Sequence, residues 1–280
     1  MSVKQIKHRI GVCIQGGSFM PQDKNRVVTP YEQCLFGWEA CMNAGFDFAE
    51  AAFGVFMNMS DEEFKRAVKD GVRFECANSF LPGEYALAKA ELPVIREYVE
   101  RALSRAAAIG VNTVVFGSGR ARSLPEGISY SERRDLLCKY YEFIRMCGDI
   151  AASYGIVFAL EPLNPAETNF MLTTIEGYAV ASAIRHPAVK LLADFYHMAK
   201  QNEPFTNIRL VADKLAHVHV SEFDRGFPGK YDGAENGSNL PDAADALNRA
   251  GYCGRVSCEA IYKDYLAELP RIYDYMRRIF

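Results

Sequence analysis

The sequence predicts a (β/α)8 barrel, and three observations carry that reading. Short runs rich in Val, Ile, Phe and Ala alternate with longer amphipathic stretches from end to end, which is the rhythm of βα units. Eight such runs occur, and eight units in 280 residues leave about 35 residues each, enough for a strand, a crossover helix and two loops. No composition break divides the chain, so residues 1–280 read as one barrel domain. An open doubly wound sheet is the alternative, but Gln15-Gly16-Gly17-Ser18 after the first run is too thin a match to a dinucleotide fingerprint.

In chain order the expected strands are Arg9 to Gln15, Phe46 to Phe53, Val72 to Asn78, Val111 to Gly117, Ile156 to Leu163, Val189 to His197, Ala216 to Glu222 and Gly254 to Ile261. Helix starts are marked by Pro30 behind a capping Thr29, by Asp61-Glu62-Glu63 behind Ser60, and by Glu132 behind Ser131. Gly45, Gly71, Gly110 and Gly155 fall just before β runs, where a helix closes. The two long connections, Gly119 to Tyr130 and Phe223 to Asn239, follow the carboxyl ends of strands four and seven, the end at which a barrel builds its site. The second is rich in turn formers and aromatics and reads either as a lid or as an ordinary surface loop.

With 49% hydrophobic residues and a formal charge of -3 from 32 basic and 35 acidic side chains, the chain is neither disordered nor a dedicated nucleic-acid binder, which would carry a basic excess. A small, weakly charged partner fits better. No apolar run reaches the roughly 18 residues of a membrane span, and MSVKQIKHRI lacks the apolar core of a leader. The expected location is cytoplasmic. Eight scattered cysteines, none in CxxC spacing, read as reduced thiols, mostly in the core.

Parallel barrel strands are buried on both faces and should be almost wholly apolar, so their polar residues are informative. Strand five ends Ala159-Leu-Glu161, strand six Ala193-Asp194, strand seven His217-Val-His219-Val-Ser-Glu222, and strand eight Ser257-Cys-Glu259. Buried unpaired charge is costly, and no cluster of Lys or Arg lies on the same strands, so a shared divalent cation is the simplest compensation. Three carboxylates and one imidazole, Glu161, Asp194, His219 and Glu259, suit Mn²⁺ best, then Mg²⁺ or Co²⁺, with Zn²⁺ possible. For each residue alone the alternative is a hydrogen-bonded or helix-capping group. His217, one layer deeper than His219, reads as a support to the ligands or as a satisfied interior histidine. His197, three residues beyond Asp194, reads as facing a substrate or as a loop histidine.

Glu161-Pro-Leu-Asn164 with Glu167, Asp194-Phe-Tyr-His197, His219-Val-Ser-Glu222 followed by Arg225 and Pro228-Gly229, and Cys258-Glu259 together resemble the xylose isomerase-like TIM barrels, and within them the ketose 3-epimerases of the tagatose and psicose type. The resemblance implies that Glu161, Asp194, His219 and Glu259 bind one metal ion and that His197, Arg225 and Glu167 contact the sugar's oxygens. It also implies a homo-oligomer, a dimer or tetramer, for which exposed apolar residues around Trp38 offer a surface; core packing explains Trp38 equally well. Glu50, Glu75, Arg120 and Arg122 fall where such barrels shape specificity, without an assignable role.

The chemistry implied is ketose 3-epimerisation through a metal-stabilised enediolate, with Glu161 and Glu259 as acid and base on opposite faces. The same site would serve an aldose–ketose or hydroxypyruvate-type isomerase, or an inosose-type dehydratase. Outside enzymes, a sugar-binding or regulatory barrel is the alternative. An endonuclease of the three-metal kind is disfavoured by the count of only five histidines.

Overall fold

The structure, a computed structural model, describes residues 7–14, 29–235 and 237–280. Gln15-Gly16-Gly17-Ser18 and Asn236 of the second long connection lie outside the described residues. Eight parallel strands run in sequence order around a closed barrel: β1 (Arg9–Cys13), β2 (Phe48–Ala52), β3 (Cys76–Asn78), β4 (Thr113–Phe116), β5 (Val157–Leu160), β6 (Val189–Asp194), β7 (Leu215–Val220) and β8 (Arg255–Cys258). Closure comes from β8 pairing with β1, Arg255 opposite Arg9 and Cys258 opposite Val12. Each strand lies within or one residue beyond the run expected from sequence, and most are shorter, because flanking apolar residues pack without joining the ladder.

Two local expectations are corrected. The sixth strand stops at Asp194 rather than His197, because the Asp194 carboxylate accepts the Tyr196 N–H at 2.8 Å and starts the helix Phe195–Lys200. The helix Tyr130–Ser153 begins behind Ser129, not Ser131, since the reciprocal box with Glu132 needs a three-residue spacing. Thr29 with Glu32 and Ser60 with Glu63 form such boxes as expected.

Alternation along the strands sorts the interior from the strand–helix layer. Most buried apolar side chains pack between strands and helices, while Val115, Ala159 and Leu192 form a separate small cluster on β4, β5 and β6. At the amino ends of the strands, Glu75 receives Arg9 at 2.6 Å and Arg255 at 3.1 Å, and both guanidinium groups lie over the Phe48 ring at 5.7 and 5.8 Å. Glu75 therefore closes the floor of the barrel and takes no part in shaping specificity at the opposite mouth. Phe48 has room because Gly11 on β1 carries no side chain; a Cβ there would collide with the ring. Trp38 is half-buried against the core and donates its indole N–H to the Arg73 carbonyl at 2.9 Å, so packing accounts for it. All eight cysteines are free, six of them buried.

Gly11→Ala should destabilise the fold by about 1–3 kcal/mol through overpacking, read as a lower urea midpoint at unchanged slope. An unaltered midpoint would show that Phe48 does not fill this space.

Candidate metal centre

The carboxyl ends of β5 to β8 bring Glu161, Asp194, His219 and Glu259 together, with one ligand atom from each lying within 4.8 Å of all the others and all four side chains buried. His219 Nδ1 is 3.2 Å from Glu259 Oε2 and 3.5 Å from Glu161 Oε1. Glu161 follows immediately on β5 and Glu259 on β8, while Asp194 is the last residue of β6 and His219 lies inside β7. Equivalent positions on adjacent parallel strands point to one centre because the strands share a register and a tilt.

Other groups hold the quartet in place. Glu50 on β2 accepts His219 Nε2–H at 2.8 Å and His217 Nε2–H at 2.9 Å. Asn78, at the end of β3, donates to Glu259 Oε1 at 2.9 Å. The buried Arg122 guanidinium donates to the main-chain carbonyls of Phe116 at 3.2 Å and Glu161 at 2.6 Å, fixing the chain ends of β4 and β5. Arg122 is thus a structural tie between two strand ends, while Arg120 is exposed. Gly117 allows the Glu161 side chain to lie flat on β4, where a Cβ would strike Oε2. Sequence reasoning left Glu50 without a role and did not find Asn78 or Gly117, because each acts through a partner far away in the chain.

Arg225 from the β7 connection binds Asp194 Oδ2 at 2.6 Å and also Glu259 Oε2. The positive charge that strand residues alone did not supply comes in part from this loop arginine, so a divalent cation is not the sole compensation for the acids. Its guanidinium also lies over the Tyr196 ring at 4.5 Å. His197, in the helix after β6 rather than at a strand exit, accepts the Asn164 main-chain N–H at Nδ1 (3.2 Å) and lies 2.8 Å from Asn164 Nδ2. Its Nε2 is therefore turned toward Asp194 Oδ2 at 3.5 Å and Glu161 Oε1 at 4.0 Å. Glu167 is 47% exposed, 3.9 Å from His197 Nδ1, and accepts from Asn164 Nδ2. The three expected substrate-contact residues therefore ring the quartet.

The long connection after β7 is fastened rather than loose in its described part. Glu222 accepts the Gly229 N–H at 3.0 Å, Asp224 accepts Tyr231 O–H at 3.0 Å and pairs with Lys230, and Phe223 stacks on Tyr231. Ser79, Ser118, Met171 and Arg225, which follow β3, β4, β5 and β7, hold left-handed φ values of 54°, 38°, 62° and 63°. Arg185 and Asn202 share the conformation, at 54° and 55°, so it is not confined to that end.

Electrostatics separate the acids. Burial pushes the Glu161 carboxyl up to about 7. Burial also opposes ionisation of Asp194, but Arg225, then His197 and His219, hold it well below the ordinary range. Glu259 is likewise lowered, against burial, by Arg225 and His219. Burial disfavours a charged His219, yet Glu50 and Glu259 keep its pKa well above the usual value. After these pairings, Glu161 Oε1 and His219 Nδ1 remain buried without a hydrogen-bond partner. Two orphaned donor atoms beside two ionised carboxylates fit a hard or borderline divalent cation.

Residues 38–278 match the protein family described as xylose isomerase-like TIM barrel. The D-psicose 3-epimerase of Agrobacterium fabrum is 28% identical over 239 residues, 80% of this chain and 78% of that protein. The 2-oxo-tetronate isomerase of Haemophilus influenzae is 26% identical over 202 residues, 70% of each. Among solved structures, D-allulose 3-epimerase from Methylomonas sp. in complex with D-allulose superposes with a TM-score of 0.76 at 18% identity, over 98% of both chains; at that identity the likeness speaks for the fold.

A cation entering the quartet must displace the protons that burial keeps on Glu161 near neutrality and that Glu50 and Glu259 keep on His219. Because the Glu161 pKa is raised, the competing proton is present at pH 6 and gone at pH 8. Mn²⁺ affinity should therefore tighten over that range, by up to about tenfold per pH unit for each proton displaced. Calorimetry in buffers of different protonation enthalpy reads both the affinity and the proton release. A flat profile without release would place the cation elsewhere.

Proposed function

We propose that this chain, which belongs to the xylose isomerase-like TIM barrel family, is a divalent-metal-dependent ketose 3-epimerase. That it is an enzyme of the sugar epimerase and isomerase class follows from its relatives, which are named ketose, psicose and ribulose 3-epimerases. The observation that carries the finer reading is the buried quartet with its two orphaned atoms and a pair of carboxylates, Glu161 and Glu259, that converge on one space at the barrel mouth.

The hydrogen on the carbon beside a ketone is weakly acidic, and removing it leaves negative charge on the neighbouring oxygen. A divalent cation held by Glu161, Asp194, His219 and Glu259 supplies Lewis-acid stabilisation of that developing charge. Epimerisation then needs one carboxylate to take the proton from one face and another to return a proton to the opposite face. In this reading Glu161 and Glu259 are the two. Arg225 turns from the carboxylates to the sugar's oxygens, which frees Glu259 Oε2. His197, its Nδ1 anchored by Asn164, presents Nε2–H to the same oxygens, and Glu167 accepts from a hydroxyl at the rim.

The relative named 2-oxo-tetronate isomerase supports a second reading, aldose–ketose type isomerisation, in which a single base serves two adjacent carbons from one face. A panel of free and phosphorylated ketoses, 2-oxo-tetronates and inososes with Mn²⁺ in D₂O, followed by NMR, separates them. Epimerisation places deuterium at C3 of a ketose with inverted configuration. Absence of exchange in every ketose of the panel would overturn the proposed 3-epimerisation.

Glu259→Gln should lower turnover by about 10²- to 10⁴-fold, the range for a lost general base, and weaken Mn²⁺ binding while the circular dichroism stays native. Full activity in that variant would exclude Glu259 from proton transfer. Arg225→Ala should raise KM and lower kcat together, because the guanidinium both binds and orients the sugar; unchanged constants would count against it.

A further inference from the structure

Glu50 lies at the centre of a buried chain of hydrogen bonds that runs across the barrel and ends at the quartet. An ionised carboxylate can only accept, so the imidazoles that meet its two oxygens, His217 at 2.9 Å and His219 at 2.8 Å, must both carry hydrogen on Nε2. The Cys76 Sγ lies 4.0 Å from His217 Nδ1. Burial pushes that thiol well above its ordinary value, so it stays protonated and can donate, which fixes His217 in the same form. Each link therefore sets the direction of the next: thiol to imidazole, imidazole to carboxylate, second imidazole to the same carboxylate. Glu50, Cys76, His217 and His219 are all fully buried, so no water competes for these bonds.

Glu50 also lies near Cys13 with His219, and near Cys76 with His217, in groupings compact enough to hold an ion. Both of its oxygens are already occupied by imidazole N–H groups, so these groupings are held by hydrogen bonds and need no second cation.

We infer that Glu50 is the positioning residue of the metal centre: by binding Nε2–H of His219 it leaves Nδ1 as the lone-pair atom, aims it between Glu161 and Glu259, and is itself held by His217. The inference rests on the metal-dependent reading of the quartet. It deepens that reading by assigning a residue beyond the four ligands and by giving His217 its purpose. Substituting an amide would break the logic, since Gln offers one acceptor and one donor to two imidazoles that both donate. One of the two rings would then have to change tautomer or turn.

Glu50→Gln should weaken Mn²⁺ binding by about 10- to 100-fold, the usual cost of losing the group behind a ligating histidine, as read by calorimetry on protein whose circular dichroism is native. A dissociation constant within twofold of the wild-type value would overturn the assignment. Should the variant fail to fold, the wild type decides: ¹⁵N imidazole spectra of the Mg²⁺-loaded protein should show His219 protonated at Nε2 and bare at Nδ1, and the reverse tautomer would overturn the inference. Neither measurement uses a sugar. A protein that meets both expectations yet epimerises no ketose would sink the proposed activity and uphold the role of Glu50, while a wild type that binds no divalent cation would overturn both.

Discussion

The constraint on which this structure turns is the confinement of four carboxylates at one end of an otherwise apolar barrel. Glu50, Glu161, Asp194 and Glu259 are all buried, and ionised groups in such surroundings persist only when paired and hydrogen-bonded. Arg225 meets two of them, the histidines of β7 meet a third, and Glu161 is left with an unpartnered oxygen. That oxygen lies where chemistry is proposed. Three acids are thus stabilised by the protein itself, and the fourth keeps a proton until something better arrives.

The rest of the fold divides the labour between the two ends of the strands. Arg9, Glu75 and Arg255 close the amino end with opposite charges stacked on Phe48. At the carboxyl end, Arg122 ties carbonyls of β4 and β5 and so fixes the chain from which Glu161 departs. Four non-glycine residues in left-handed conformations lie on the same side.

The barrel and the quartet were legible in the sequence because both depend on local pattern. Apolar runs of fixed rhythm announce parallel strands, and a single acid or imidazole at the close of such a run stands out against its neighbours. What was not legible depends on pairs far apart in the chain. Glu50 shows the same pattern as Glu161, an acid within an apolar run, but its purpose appears only when the opposite wall brings two imidazoles to it. Arg122 reads as a loop cation until the loose carbonyls of two strand ends are seen around it. The misplaced cap, Ser131 for Ser129, and the overlong sixth strand have a smaller cause: the competition between a side-chain acceptor and the next backbone N–H is settled by a spacing of two or three residues.

Asp194 has two employments. One of its oxygens caps the helix Phe195–Lys200 through Tyr196 N–H, and the other faces Arg225 and the site. His197 rides on the first turn of that helix. A shift of the carboxylate is thereby felt as a shift of the imidazole, so the proposed anchor of the ion and the proposed reader of the sugar move as one lever. Exchange of this acid for its longer homologue would preserve the charge and still misalign the lever.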